Sequence, residues 1–424
     1  MKKKRRLKKS VKRGCAWIVA VPVLAYLFTL LRGLRAFESF GDEASGPVAE
    51  LSDEEMELAD RIDRLCRSAQ RIDTSLIALE VCDIASGSVV YSRHADRLAP
   101  PASCMKLLTA VASMQLLGIR HTYETRVLTR GEQQGDTFRG IVIFDLDDDP
   151  TVESLEPMVD AIYRQGIRRI EGDIQLCLLR EDTLRAHPTA ATWDIPYNRL
   201  PILLKGRPRI EQDLQYFLQR KGIALSRQPV GDGLQPERTI YHNQTPLTDV
   251  LAPMLIHSSN IKADALFYHI SRKGVQLPCI TLPDNQWLRG QAAFIDLSGS
   301  WQNFVINDGS GLSPDNRLTA HFLVQLLQYA WEHEDMRRVL IDQALATPAH
   351  PVRHGSLMGR MSDSVFRDKV FVKTGTLTTI GVSSLAGYVQ DAHGHWRVFA
   401  IINENSPVAE SRIFQDQLCR ELVR

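Results

Sequence analysis

Residues 100–118, PPASCMKLLTAVASMQLLG, decide the fold of this chain. After the paired prolines no helix breaker occurs from Ser103 to Leu117, and Gly118 supplies a stop, so the pattern predicts a helix over that range. Ser103 and Lys106 lie on one face of the helix because they are three residues apart. The helix should be central and buried, since apolar residues cover most of its surface: Met105, Leu107, Leu108, Val111, Met114, Leu116 and Leu117.

The segments around this helix predict an α+β domain. Residues 51–70 have apolar positions at helical spacing, and residues 75–92 are two β-rich runs joined by a Ser-Gly turn. Helices are expected over 247–257, from there to about residue 272 after a break at 258–260, from Thr319 to about residue 333, and over 409–423, with strands over 368–377, 381–391 and 395–404. This order predicts an antiparallel sheet with the first and last helices packed on one face.

Residues 119–245 differ in character and are predicted to be an inserted subdomain. They separate the two parts of the main domain, residues 51–118 and 246–424. The insert reads as a small α/β unit, with a strand at 140–146, a helix at 154–165, a strand at 167–179 and a helix at 211–221.

The N-terminus predicts a membrane anchor. Residues 1–13 hold nine of the 51 Lys and Arg residues and no acidic residue, so the remaining 42 basic and 50 acidic residues give the body a net charge of −8. Nucleic acid is therefore unsuitable as the main partner, because phosphate binding needs a basic face. Residues 14–31 run without a charge, which is long enough for a transmembrane helix. By the positive-inside rule residues 1–13 form a cytoplasmic tail, and the body lies on the periplasmic, extracytoplasmic side.

Residues 14–31 have other interpretations, namely a cleaved signal peptide and a buried core helix. No A-x-A-like cleavage site follows Leu31, and a core helix would not carry nine cations on one flank. Cys15 lacks the small and apolar run expected before a lipidated cysteine. We therefore expect an uncleaved signal anchor at 14–31 and a linker at 32–50, although the sequence alone leaves cleavage open.

No metal site is predicted. The seven cysteines lie at irregular intervals, without a C-x-x-C pair or a Cys/His cluster. Cys66 and Cys419, in the predicted first and last helices, are a possible disulfide, but reduced, buried thiols are the simpler expectation. The acidic run at residues 144–150, FDLDDDP, is either a calcium site or a solvated turn, and we expect the turn.

Three short motifs carry the chemistry. Residues 103–106 are an S-x-x-K motif, residues 258–260 an S-x-N motif, and residues 373–375 a K-T-G motif. A bare S-x-x-K or S-x-N arises by chance about once in a chain of this length, and K-T-G in about one chain in ten. Taken alone, the motifs could be a helix cap with a snorkelling lysine, an inter-helix loop and a charged strand residue. Their order, and their positions on a buried helix, an inter-helix loop and a strand, favour a catalytic interpretation.

The first motif suits acyl transfer through a serine. A serine hydroxyl is a poor nucleophile until a base takes its proton, and burial in an apolar helix favours a neutral Lys106 that can accept it. Ser103 lies near the helix N-terminus, where the positive end of the dipole stabilises negative charge. The backbone N–H groups of Ser103 and Thr376 are candidates for an oxyanion hole.

The other motifs suit proton transfer and substrate binding. Ser258 can relay a proton to the leaving amine, and Asn260 can hydrogen-bond a substrate amide. Lys373, on a strand edge, offers a cation for a substrate carboxylate. Thr374 adds a hydroxyl, and Gly375 lets a ligand backbone approach without a Cβ clash.

Four blocks, in order, resemble the low-molecular-mass class C penicillin-binding proteins, the serine D-Ala-D-Ala carboxypeptidases and endopeptidases of peptidoglycan: PPASCMKLLTAVASMQLLG, PLTDVLAPMLIHSSNIKADAL, NDGSGLSPDNRLTA and KTGTL…GVSSLAGYV. The resemblance implies the serine β-lactamase and transpeptidase fold, with an insert between the first two motifs. It also implies acylation of Ser103, Lys106 as the base, and a site completed by Ser258, Asn260 and Lys373. It implies no metal or organic cofactor, and peptidoglycan stem peptides and β-lactams as the molecules bound.

The chain departs from the family pattern at three places. Ser259 stands where the family usually has Asp, and we expect activity to survive this change. The 155 positions from Ser103 to Ser258 are fewer than in larger members, and residues 378–380 look like an addition at the cleft rim. Two other functions stay open on sequence alone: a serine β-lactamase, for which no deacylating glutamate is evident, and a catalytically silent cell-wall-binding protein.

Overall fold

The computed structural model describes residues 51–146, 149–178, 200–231, 237–273 and 300–424, together with Ala292 and Ile295. The predicted tail, anchor and linker of residues 1–50 lie outside these residues. Among the helices described, none is both long and apolar enough to cross a membrane. From Asp53 to Arg424 the chain forms one compact unit.

The first of two sheets carries the strands that the sequence predicts. Its order is β2-β1-β10-β9-β8, and every pairing is antiparallel. The strands are β1 (Ile77–Asp83), β2 (Val89–Arg93), β8 (Val370–Leu377), β9 (Val382–Gln390) and β10 (Trp396–Asn403). Strand β8, which carries the K-T-G motif, is therefore an edge strand, and its Gly375 pairs with Ser384 of β9.

Helices cover both faces of the first sheet. The first and last helices, α1 (Asp53–Ser68) and α9 (Val408–Val423), pack on one face against alternate apolar residues such as Leu79 and Val372. The intervening residues, such as Ala400, face the other helices. Those are α2 (Met105–Leu117), α5 (Leu247–Ile256), α6 (Asn260–Lys273), α7 (Ala320–Glu332) and the short α8 (Glu334–Arg338). This arrangement confirms the predicted α+β class and puts α2 in the core.

The second sheet is built from residues of the predicted insert. Its order is β6-β5-β4-β3-β7, with β4–β5 and β5–β6 parallel and the other pairs antiparallel. Its strands are β3 (Thr122–Gln134), β4 (Thr137–Asp145), β5 (Arg169–Cys177), β6 (Ala224–Arg227) and β7 (Arg238–Pro246). Helices α3 (Glu156–Arg164) and α4 (Arg207–Arg220) cover one face. The sequence predicted β4, β5 and both helices but missed β3, β6 and β7.

The insert rests against the helix that begins at the S-x-N motif. Leu204 packs on Ile261 and Ala265 of α6. The neighbouring Lys205 is also buried, and its amine donates to Asp213 Oδ2 and to the Glu153 carbonyl, each at 3.0 Å. Leu204 thus covers one side of α6, and the Lys205 hydrogen bonds hold the segment that carries Leu204 to the rest of the insert.

The terminal helices pack together as predicted, and Cys66 and Cys419 both lie in the core between them. Both are free thiols, so the structure contains no disulfide between them. Burial raises the pKa of each thiol, which keeps both in the unreactive protonated form.

Candidate active site

Ser103 lies in a tight turn that leads into α2. Residues Ala102–Cys104 form a single 3-10 turn, closed by a hydrogen bond from Cys104 N to the Pro101 carbonyl (3.1 Å), and α2 begins at Met105. Ala102 has a φ of 46°, an unfavourable left-handed conformation for a residue with a Cβ. The turn leaves Ser103 only partly buried, whereas the rest of the first helical turn is in the core.

Lys106 is fully buried, and its amine contacts three oxygen atoms. The distances from Nζ are 2.9 Å to Ser103 Oγ, 2.8 Å to Asn260 Oδ1 and 2.6 Å to the Ser310 carbonyl. Two of these oxygens only accept hydrogen bonds, whereas the serine hydroxyl can also donate. A neutral amine, with two N–H groups and one lone pair, satisfies all three.

The electrostatics of the site also favour a neutral Lys106. Burial first, and the nearby Lys373 cation second, hold the pKa of Lys106 well below its usual 10.5. The buried carboxylates of Asp264 and Asp308 oppose this shift but do not reverse it. A lysine in this state can accept the proton of Ser103.

A loop at residues 308–316, the Asp308 loop, supplies the Ser310 carbonyl. The buried carboxylate of Asp308 accepts hydrogen bonds from four backbone N–H groups of the loop and from Asn316 Nδ2. At Gly311 a Cβ would lie 1.8 Å from the Ala102 carbonyl, so only glycine lets the loop meet the nucleophile turn.

The S-x-N motif lies between α5 and α6. Ser258 has a φ of 58°, and its Oγ accepts a hydrogen bond from Lys373 Nζ at 2.9 Å. Asn260 starts α6 and reaches Lys106. Ser259 Oγ accepts from Lys262 N (3.4 Å) in the first turn of α6 and makes no hydrogen bond to Lys106 or Lys373 among the described residues.

Lys373 lies on the edge strand β8, as the sequence predicted, and its side chain is fully buried. Its amine donates to Ser258 Oγ at 2.9 Å and to the Thr374 carbonyl at 2.7 Å. Burial lowers the pKa of Lys373 to about 8, because an ammonium ion is poorly solvated there. Lys373 therefore joins the K-T-G strand to the S-x-N loop.

Gly375 has a different reason for lacking a side chain from the one predicted. A Cβ there would lie 2.1 Å from Ser384 Oγ and 2.9 Å from both Ser103 N and the Pro101 carbonyl. The hydroxyl of Ser384 uses this space to donate to the Pro101 carbonyl at 2.7 Å. The room at Gly375 is thus filled by the protein and brings β8 against the nucleophile turn.

Among the residues that the structure describes, no strand pairs with the outer edge of β8 beyond Val372. Val372 exchanges two backbone hydrogen bonds with Ala346, at 2.8 and 3.1 Å. The backbone groups of every second residue in a strand point to the same side. The backbone N–H and C=O groups of Thr374 and Thr376 therefore point to the outer edge, as those of Val372 do. The side chain of Thr374 donates to Ser356 Oγ (2.7 Å), and that of Thr376 accepts from Arg412 Nη2 (3.1 Å).

All eight predicted site residues thus meet between α2, the α5–α6 junction and β8. The sequence analysis missed the carbonyl of Ser310 and the side chains of Ser356, Ser384 and Arg412. Ser310 lies in the quoted block NDGSGLSPDNRLTA, so that block held a signal, and Ser384 lies in GVSSLAGYV. No motif points to Ser356 or Arg412.

The described residues offer little to a metal ion. Glu54, Asp391 and His395 lie within reach of a common point. Arg397 already donates to Asp391 Oδ2 at 2.6 Å and lies 3.7 Å from Glu54, so a cation occupies that position. In the acidic run, Asp149 is buried and accepts from Thr151 N and Oγ1, which differs from the predicted solvated turn.

Comparison with known proteins finds a family that matches most of this chain. A family described as the D-Ala-D-Ala carboxypeptidase 3 (S13) family matches residues 58–194 and 208–422, which is most of the chain. A D-alanyl-D-alanine carboxypeptidase of Actinomadura sp. (strain R39) is 24% identical over 519 aligned residues, covering 97% of this chain and 90% of that protein.

Solved structures with a similar fold include two proteins. Penicillin-binding protein 4 (dacB) of Haemophilus influenzae has a TM-score of 0.66 at 19% identity, covering 86% of this chain and 99% of that one. The same protein in complex with a β-lactam gives a TM-score of 0.65 at 20% identity, with the same coverage. A peptidoglycan endopeptidase of Bdellovibrio bacteriovorus, Bd3459, has a TM-score of 0.53 at 16% identity, covering 81% and 92%.

Proposed function

The chain belongs to the D-Ala-D-Ala carboxypeptidase 3 (S13) family, and from this premise we propose how its residues perform the reaction. The protein is a serine peptidase, a class C penicillin-binding protein that acts on peptidoglycan as a D-Ala-D-Ala carboxypeptidase. Cleavage of D-alanyl cross-links follows the same steps with a larger leaving group.

The mechanism rests on the three hydrogen-bond contacts of the Lys106 amine. Lys106 Nζ, 2.9 Å from Ser103 Oγ, takes the hydroxyl proton while Oγ attacks the carbonyl carbon between the two D-alanines. Asn260 and Ser310 hold the amine in place by accepting its two N–H groups. This arrangement supports Lys106 as general base and Ser103 as nucleophile.

The negative oxygen that forms in this step needs hydrogen-bond donors. The backbone N–H groups of Ser103 and Thr376 are suited to this task. Gly375 lies against Ser103 N, and Thr376 N–H points to the outer edge of β8, where an extended substrate would bind as an added strand.

The acyl-serine forms when the leaving amine takes a proton. Ser258, hydrogen-bonded to Lys373, is placed to deliver that proton, and Lys373 replaces it from its ammonium group. D-Alanine then leaves, and exchange with solvent removes the proton that Lys106 took from Ser103 and restores the one that Lys373 gave up. Neutral Lys106 can then act again as base: it takes a proton from the water that attacks the ester between the peptide and Ser103, and returns it to Ser103 Oγ as the ester bond breaks. Asn260, Thr374 and the backbone of β8 hold the peptide during both steps.

Covalent labelling with a fluorescent penicillin tests this mechanism. The wild-type protein should give a stable labelled band, which Ser103→Ala should lose completely. Lys106→Ala should slow labelling about 100-fold or more, the usual contribution of a general base. Ser259→Ala is the matched control, because Ser259 makes no hydrogen bond to Lys106 or Lys373 among the described residues. This variant should label at the wild-type rate. A band that persists in Ser103→Ala would contradict the assignment.

We also propose that residues 14–31 anchor the enzyme in the membrane and leave residues 51–424 on the extracytoplasmic side. The uncharged run of residues 14–31 and the nine cations before it support this proposal. The full chain should sediment with membranes and be digested by protease added from the outer side, and deletion of residues 1–31 should release it. Sedimentation unchanged by the deletion would contradict the anchor.

A further inference from the structure

Cys104 stands between the nucleophile and the base in the first motif, and its side chain is fully buried. Its Sγ donates to the backbone carbonyl of Lys373 at 3.3 Å, across 269 positions of sequence. The thiol is the donor in this contact, because a carbonyl oxygen only accepts. Burial raises the pKa of the Cys104 thiol, so the group keeps the proton that it donates. The thiol therefore joins the nucleophile turn, residues 102–104, to the K-T-G strand.

A second anchor of the turn lies on the other side of Ser103. Ser384 Oγ, on β9, donates to the Pro101 carbonyl at 2.7 Å and lies 3.3 Å from Cys104 Sγ. The chain is thus held to the first sheet two residues before Ser103 and one residue after it. Ser103 itself, between the two anchors, stays partly buried.

The backbone of the turn needs such anchors because it is strained. The φ of 46° at Ala102 is unfavourable for a residue with a Cβ, and a conformation of this kind persists only where the surrounding contacts hold it. Gly375 of β8 leaves room for the turn, since a Cβ there would lie 2.9 Å from Ser103 N. The two anchors therefore hold a strained turn directly against the K-T-G strand.

The position of this turn decides the geometry of the oxyanion hole. The two donors assigned to it, Ser103 N–H and Thr376 N–H, belong to different elements. Their separation depends on how the turn sits on β8, and each donor must lie within about 3 Å of the negative oxygen. The hydrogen bond of Cys104 spans the same junction, from the residue directly after Ser103 to the first residue of the K-T-G motif.

We propose that Cys104 is a positioning residue for acylation, whose hydrogen bond to the Lys373 carbonyl sets the distance between the two oxyanion donors, Ser103 N–H and Thr376 N–H. This inference rests on the proposed function and deepens it. Cys104 acts through the backbone and not on the substrate. The limiting rate of acylation should therefore depend on the thiol, whereas the non-covalent binding of a penicillin should not.

Cys104→Ala and Cys104→Ser in the full-length protein test the proposal. Both variants lose the sulfur atom, but only serine keeps a donor. Acylation by a fluorescent penicillin at several concentrations separates the limiting rate constant from the half-saturating concentration. In Cys104→Ala the limiting rate constant should fall about tenfold at an unchanged half-saturating concentration. This loss is smaller than the roughly 100-fold cost of removing an oxyanion donor, because the donors are displaced but still present.

Cys104→Ser should recover part of this loss. Its oxygen lies farther from the Lys373 carbonyl than the sulfur does, because a C–O bond is shorter than a C–S bond. If Cys104→Ala does not fold, Cys104→Ser alone should still show a lower limiting rate than the wild type at an unchanged half-saturating concentration. Equal limiting rates in the serine and alanine variants would mean that the volume of the side chain matters and not its hydrogen bond, which overturns the proposal.

Cys419→Ala and Cys419→Ser are the matched controls. Cys419 is also a fully buried free thiol, but it lies in the core beside the terminal helices and makes no hydrogen bond within the described part of the chain. Both variants lose the same atom from a buried position and should acylate at the wild-type rate. Slower acylation in these controls, matching that of the Cys104 variants, would overturn the proposal.

The pH profile separates positioning from an effect on the base, because Cys104 also lies near the amines of Lys106 and Lys373. In Cys104→Ala the limiting rate should fall by the same factor at every pH. A loss confined to one side of the profile would mean that Cys104 acts on the lysines, and the proposal would be wrong. Failure of the proposed function gives a different result, namely no label that depends on Ser103 in the wild type. That outcome overturns both, whereas a wild-type limiting rate in Cys104→Ala overturns this inference alone.

Discussion

At the scale of single residues, Lys106 and Lys373 form a pair of buried amines with different tasks. A charge without solvent is costly, and two charges of one sign close together cost more, so one amine of the pair loses its proton first. Burial is the largest cause of the lowered pKa of both lysines, and the charge of Lys373 lowers the pKa of Lys106 further. The pair thus supplies one neutral base for Ser103 and one cation for Ser258.

Gly375 and Ser384 illustrate a second residue-scale relation. They pair across β8 and β9, and the Ser384 hydroxyl occupies the position that a Gly375 side chain would take. Through the Pro101 carbonyl, this hydroxyl fixes the turn that presents Ser103. Ser384 is therefore a positioning residue for the nucleophile.

Gly375→Ala and Ser384→Ala should be strongly coupled. Ser384→Ala removes one buried hydrogen bond and should lower the free energy of unfolding by about 1 kcal/mol. Gly375→Ala forces a methyl group against Ser384 Oγ and should cost about 1–3 kcal/mol. In the double variant the methyl group takes the space of the lost hydroxyl, so the combined loss should be smaller than the sum.

Denaturant unfolding of the four proteins measures this coupling, and the rate of penicillin acylation shows whether Ser103 has moved. Losses that simply add, within about 0.5 kcal/mol, would mean that the two side chains do not compete for one space.

At the scale of elements, the sequence predicts those helices and strands whose own residues show a clear apolar pattern, cap or stop. Helix α2 has a continuous apolar surface and a glycine stop, and α7 has Thr319 as its N-cap, accepting from Phe322 N at 2.9 Å. Strand β3 lacks such a signal, because among the described residues no helix covers one face of the second sheet, and that face carries charges such as Arg126 and Glu132. Its polar sequence therefore resembles a loop, and only pairing with β4 and the distant β7 makes it a strand.

The site residues, too, are predictable where a local motif marks them and unpredictable where only long-range packing brings them together. Motif spacing identifies the nucleophile, the base and the K-T-G strand, because each motif is local. Ser310 acts through a backbone carbonyl, which any residue could provide, so no side chain marks it. Arg412 reaches Thr376 across 36 positions of sequence, a proximity that only the packing of α9 on β8 creates.

At the scale of the whole molecule, the two sheets have different environments. The first sheet is covered on both faces and holds the site at its β8 edge. The insert also contacts α6, where Leu204 packs on Ile261, the residue after Asn260.

The pH dependence of Ser103 acylation by a fluorescent penicillin tests the central claim most directly, namely that a buried, neutral Lys106 activates Ser103. The rate should be lost as the pH falls through the lowered pKa of Lys106, since the ammonium form cannot accept a proton. It should decline again above about pH 8 as Lys373 loses its proton. Lys373→Arg, which stays charged, should remove that upper decline. A rate that continues to rise toward pH 10.5, the usual pKa of lysine, would contradict the account.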